Sequence, residues 1–377
     1  MKTPSGFSQT SVSALLMILL ALAIHSTALG SDPVITPGDD DLIAHYPGSL
    51  TVCDQSKDRS RVLGIDHGRC MVLDAESLKP IEGLSNLFPG KPIIAASFSP
   101  GGQHVCAIDS DRIAHVGDLS TGKQEYSIRD PSGHWISSAM FSPDDKTLLT
   151  PAYGSIYLWD AKDGKSLCPA IVPQRRGASF THVLWSPNGR QILTLVDSRP
   201  SASLWDAKTG KLVRVLSTSD KGVEDFSCAA FSPDGSSLAM GSDDWVHPGI
   251  SIFDSESGKS LRRITGNIEK LPWELAYSPD GKTIACEEFN LDIFDATSGK
   301  ELARFPATPA PILKFSPDGK EVVEAGSSGR IYDLSLRHIH LDFATGSNVA
   351  SAFFTKDSNG LIASYGDGNT YVWKIER

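Results

Sequence analysis

Several kinds of chemistry leave a mark in sequence that this 377-residue chain lacks. It has no Gly-x-Ser-x-Gly elbow, phosphate-binding loop, His-Glu-x-x-His helix or dinucleotide glycine fingerprint, and little of it is patterned to form the helices such motifs need. Basic residues are in the minority, 35 Lys and Arg against 45 Asp and Glu, and they are scattered singly. A nucleic-acid partner, which is held by clustered cations, is therefore not expected. Cysteines number only six, with no Cys-x-x-Cys pair and no Cys-x-x-Cys-His, which argues against a zinc knuckle or c-type haem. Beyond residue 24 no apolar run approaches the ~20 residues that cross a bilayer as a helix.

The first thirty residues are different. Lys2 precedes an apolar run from Val12 to Ile24, and small residues lead to Ala28-Leu29-Gly30. A core of about a dozen residues is short for a ~30 Å hydrocarbon layer and has the form of a signal peptide, with cleavage expected after Gly30. The mature chain would carry 34 basic and 45 acidic residues, a net charge of −11, and is expected to be a soluble, secreted or periplasmic monomer. Residues 31–40 read as a flexible lead-in and 41–377 as one domain. An oxidising compartment invites disulfides, yet the cysteine placement opposes them. Cys53 and Cys70 would lie on strands separated by another strand, about 9–10 Å apart and too far to bridge. Cys106, Cys168, Cys228 and Cys286 fall one to a repeat, so buried free thiols are expected.

What the chain has in abundance is a repeat. Phe98-Ser99-Pro100 returns as Phe141-Ser142-Pro143, Trp185-Ser186-Pro187, Phe231-Ser232-Pro233, Tyr277-Ser278-Pro279 and Phe315-Ser316-Pro317. In the clearest copy a short apolar strand enters Ser232-Pro233-Asp234-Gly235, a second strand leaves it, and Gly249–Asp254 forms a third. The turn Ser257-Gly258-Lys259 then leads to a fourth strand. Four short antiparallel strands cannot bury both faces alone, so a tandem array of them implies an all-β propeller. An acidic residue ends each third strand: Asp74, Asp118, Asp160, Asp206, Asp254, Asp295 and Asp333, with Lys374 in the last copy. Eight such strands predict eight four-stranded blades, seven being the alternative. The last copy stops after its third strand, and Asp41–Tyr46 is expected to supply the missing one. Because the Asp ladder spreads its carboxylates around the ring, it reads as turn chemistry rather than a calcium site.

Trp159-Asp160 and Trp205-Asp206 resemble the Trp-Asp pair of WD-repeat proteins. Phe253-Asp254, Phe294-Asp295, Tyr332-Asp333 and Trp373-Lys374 are variants of it. The resemblance covers nearly all of residues 50–377 but lacks the family's Gly-His dipeptide, and the Ser-Pro-Asp-Gly-Lys turns are similar to those of bacterial WD and YVTN-type propellers. It implies a rigid, non-enzymatic interaction platform that binds a protein or peptide and needs no cofactor. Two other readings stay open: an extracytoplasmic enzyme or subunit of the quinoprotein amine dehydrogenase or lactonase type, and a carbohydrate-binding envelope module.

The candidate binding face carries the loops between fourth and first strands and between second and third strands. Trp135, Phe180, Phe226 and Trp273 recur there just ahead of the first strands, and longer loops carry Arg175, Arg176, Trp245 and His247. Trp and Arg supply large rigid area and planar charge, the properties that dominate interfaces. The competing role for the four aromatics is as wedges between blades. His338 and His340, two apart on one strand, share a face and would ligate a metal only if a third ligand lay near. Without one they are ordinary exposed outer-strand histidines, and no metal is expected.

Overall fold

The repeat is built on a buried serine. Ser232 accepts the backbone N–H of Ser237 at 2.9 Å and donates to Asp234 Oδ1 at 2.6 Å, so one hydroxyl ties together both ends of the turn through Gly235. The same arrangement recurs at Ser142, Ser186, Ser278 and Ser316, with Asn188 standing for the Asp after Ser186. The computed structural model describes residues 38–174, 178–197, 202–217, 226–242, 248–265, 268, 271–307, 310–343 and 347–375. The expected signal peptide and residues 31–37 lie outside them, and no helix among the described residues is long and apolar enough to cross a membrane.

The strands form eight antiparallel sheets, seven of them ordered in space as they are in the chain. Blade 5, with Phe226–Phe231, Ser237–Ser242, Ile250–Asp254 and Ser260–Ile264, shows the plan. Eight apolar clusters fill the interfaces, one between each neighbouring pair of blades, including the pair formed by the last and the first. Blade 8 takes its outer strand from the start of the described chain: Leu42–Tyr46 pairs with Thr370–Lys374, which covers an otherwise open sheet edge. Side chains reinforce the seam with blade 1, where Thr370 Oγ1 donates to Leu50 O at 2.9 Å and Ser364 Oγ accepts Val52 N–H at 3.0 Å.

Two blades fall short of four regular strands. Blades 1 and 3 have three, and isolated bridges such as Leu73 to Pro80 and Trp159 to Ser166 stand at their outer edge. Pro80 and Pro169 lie in these edge segments, and a proline cannot donate to a strand ladder.

The acidic ladder does make turns. Asp206 Oδ1 accepts Thr209 N–H at 2.8 Å and its hydroxyl at 2.6 Å, and Asp254 and Asp295 hold Ser257 and Ser298 in the same way. One or two residues further on, Gly122, Gly164, Gly210, Gly258 and Gly299 take positive φ. The first and seventh copies lack that glycine yet keep the conformation, with Leu78 at φ 54° and Arg337 at φ 57°. A side chain there is strained, and the surrounding turn must hold it. All six cysteines are free: Cys70, Cys106, Cys228 and Cys286 are buried, while Cys53 and Cys168 are half-buried, more open than the sequence suggests. Burial pushes the Cys53 thiol up to about 11 and that of Cys106 to about 12.

Candidate binding face

On blade 3 the segment before the first strand and the turn between Thr147–Ala152 and Ser155–Asp160 meet through an Ile136–Ala152 bridge. Ile136 is wholly buried and anchors its neighbours. That leaves Trp135 74% exposed and Tyr153 72% exposed, with the His134 ring 5.8 Å from that of Tyr153. Asp130 underlies this group. Its Oδ1 accepts Ser132 N–H at 2.7 Å, whereas buried Oδ2 has no hydrogen-bond partner and stands 3.5 Å from His134 Nδ1. Large aromatics are ordinarily the residues folding removes from water, so Trp135 ahead of the first strand and Tyr153 on the turn bridged to it form a surface suited to contact.

Blade 6 repeats the theme with acid beneath it. Trp273 is half-buried and lies edge-on to Phe289, ring centres 5.2 Å apart, and Phe289 is 42% exposed. The next residue, Glu274, pairs across the sheet with Glu287, which is wholly buried. Desolvation raises Glu274 to about 7. Glu287 is pushed up to about 9, first by desolvation and then by the negative charges of Glu324 and Glu274, although its Oε1 accepts Ala310 N–H. The other oxygen, Oε2, is buried without a hydrogen-bond partner. At neutral pH Glu287 is therefore a neutral acid.

The residues expected to bind divide three ways. Trp135 is on the open surface, and Trp273 presents part of its ring beside Phe289. Phe226 is a correction: it is 4% exposed, packs edge-to-face on Phe253 at 6.1 Å and acts as a wedge in the blade 4–5 interface. Phe180 leans on the blade 3–4 cluster in the same manner. Arg175, Arg176, Trp245 and His247 lie outside the described residues. Sequence reasoning passed over Tyr153, Phe289, Glu274 and Glu287. An aromatic inside a tight second-to-third-strand turn was the available signal for the first two; nothing local marks the glutamates, whose burial depends on blade 7.

A catalytic centre would need titratable groups gathered on a pocket. Arg304 does gather Asp292 at 2.7 Å and Glu288 at 3.6 Å, but both acids are wholly buried, so this is an internal ion cluster. A groove lined by Pro279, Asp280, Thr283, Pro317, Asp318 and Gly319 belongs to the Ser-Pro-Asp-Gly turns on the opposite rim. The Trp pairs of blades 3 and 4 are likewise structural: Trp159 Nε1 donates to Thr150 Oγ1 at 2.7 Å and Trp205 Nε1 to Thr194 Oγ1 at 2.8 Å.

Comparison with known proteins agrees with this architecture. Residues 123–160 and 210–247 match the family model "WD domain, G-beta repeat". Among solved structures the chain is similar to the Dos1 propeller, with a TM-score of 0.68 and 18% identity over 89% of this chain and 95% of that one. It is also similar to the computationally designed Ika8 protein, with a TM-score of 0.68 and 17% identity over 89% of this chain and the whole of that one. At such identities the likeness is one of fold.

Proposed function

The chain is a WD-repeat β-propeller, and from that premise we propose that it is a secreted or periplasmic, non-enzymatic scaffold that binds a protein or peptide on the face carrying Trp135 and Tyr153. The observation that carries this reading is the exposed pair itself, 74% and 72% open, each next in sequence to a residue of the Ile136–Ala152 bridge. A rigid scaffold limits the ordering cost of binding, and flat aromatics contribute contact area with few rotatable bonds. The N-terminal apolar segment supports export, with Ser31 as the first residue of the mature chain.

The test is selection of peptides on immobilised residues 31–377, followed by titration against a Trp135→Ala/Tyr153→Ala variant of equal thermal midpoint. Loss of two central aromatics is expected to weaken a selected peptide by about 30-fold or more. Peptides that bind both proteins equally would remove the site from this face. N-terminal sequencing of the exported protein checks the Ser31 start.

A further inference from the structure

Within blades 2 to 7, two blades depart from the rest at two positions at once. In blades 3 to 6 the second strand begins with Thr147, Gln191, Ser237 or Thr283, whereas in blade 2 it begins with His104 and in blade 7 with Glu321. The second position is the β-bulge in the outer strand, where one residue is left over between paired neighbours. That residue is Val213, Leu261 and Leu302 in blades 4 to 6, 42%, 52% and 36% exposed. In blade 2 it is Glu125, and in blade 7 it is His340. Where one position changes to a metal-ligand type, so does the other, with Glu and His exchanged between the two blades.

The register explains why the side chains meet. In blade 7, Glu321 at the start of Glu321–Ala325 faces Asp333 at the end of Gly329–Asp333, and the bulge in His338–Asp342 adds His340 beside them. One ligand-type atom from each of Glu321, Asp333 and His340 lies within 4.8 Å of the other two. Glu321 is 2% exposed, and the His340 side chain 12%. From sequence alone His340 is an exposed outer-strand residue that lacks a third ligand; the fold buries most of it and provides two carboxylates. His338 stands beside the trio, its ring 6.1 Å from that of His340.

We propose that Glu321, Asp333 and His340 of blade 7 bind a divalent transition-metal ion of the zinc class. Two carboxylates and an imidazole match the ligand preferences of such an ion, and the site concentrates negative charge that a dication neutralises. Zinc–ligand bonds of about 2.0–2.2 Å set ligand atoms roughly 3–3.5 Å apart, so side-chain rotation of about an ångström closes the set. His340 Nδ1 and Glu321 Oε1 are already 2.8 Å apart. Three protein ligands leave a fourth position for water. Blade 2 is the built-in comparison: His104, Asp118 and Glu125 occupy the equivalent places, but the His104 and Glu125 side chains are 28% and 36% exposed, so the site is less preorganised.

The experiment is calorimetric titration of untagged, chelator-stripped protein with zinc chloride, using wild type, His340→Gln, Glu321→Gln and His104→Gln. One binding event is expected in wild type and in His104→Gln, weakened at least ~10-fold in the two blade 7 variants. Absence of zinc binding by wild type at about 100 µM, a concentration at which a site of 10 µM Kd would stabilise the fold measurably, overturns the proposal. So does undiminished affinity in a folded His340→Gln protein. If the blade 7 variants do not fold, cobalt(II) added to wild type decides: visible d–d bands displaced by zinc support the site, and a featureless spectrum refutes it.

Discussion

Replacing Glu287 by glutamine should make this protein more stable at neutral and alkaline pH, although the substitution removes a charge-bearing group from its interior. In the folded chain the carboxyl is raised from 4.5 to about 9 by burial and by Glu324 and Glu274. The sign follows from which state holds the proton. Above pH 4.5 the unfolded chain releases it while the folded chain keeps it, so stability is full below pH 4.5 and drains away as pH rises towards about 9. Each pH unit within that window costs about 1.4 kcal/mol, or roughly 3 kcal/mol by pH 7. Glutamine keeps a carbonyl oxygen for the Ala310 N–H and has no proton to lose. The assay is urea unfolding of both proteins at pH 5, 7 and 9. The difference between the two curves cancels groups that titrate alike in both proteins, Glu274 near 7 among them, while turn acids such as Asp58, held near 2 by Ser56 and Ser60, titrate below this range. Expected is a glutamine variant about 3 kcal/mol more stable at pH 7, with the gap widening at pH 9. Parallel curves would refute the reasoning, because they would mean that Glu287 ionises in the folded state as it does in the unfolded one.

Arg337→Gly should stabilise blade 7 by about 1 kcal/mol, since glycine adopts the φ of 57° without strain, and denaturant midpoints check it. Trp159→Phe should cost about 1–3 kcal/mol by stranding the buried Thr150 hydroxyl, and adding Thr150→Val should recover part of the loss. Ellman's reagent should leave Cys70, Cys106, Cys228 and Cys286 unmodified in the native protein and react with them at the rate of unfolding, whereas Cys53 and Cys168 should react sooner.

The repeat was legible because its signals are local. Ser232, Pro233, Asp234 and Gly235 make their turn from hydrogen bonds that span only five residues, so a copy can be recognised wherever it stands. The third-strand aspartates carry the same kind of information, and Leu78 and Arg337 show its limit: their turns form without the glycine that advertises them elsewhere. The candidate face was legible only in part. Trp135 and Phe226 occupy similar places five or six residues before a Phe-Ser-Pro turn, but one is open and the other wedged, because Phe253 of the same blade lies against the second.

By itself, then, the sequence determined the repeat, the strand order within most blades and the need for an N-terminal strand to complete the last sheet, since periodicity and turn chemistry act over a few residues; it pointed to eight blades with seven as the alternative, and the eight sheets of the fold decide between them. Tertiary structure decided which side chains share an environment. Glu287 is held neutral because the closed ring buries it and brings Glu324 of blade 7 near, against the opposing pull of the Ala310 amide, and Glu321 meets His340 only through strand register and a one-residue bulge. Desolvation and proximity depend on neighbours distant in the chain, and only the closed ring brings those neighbours into place.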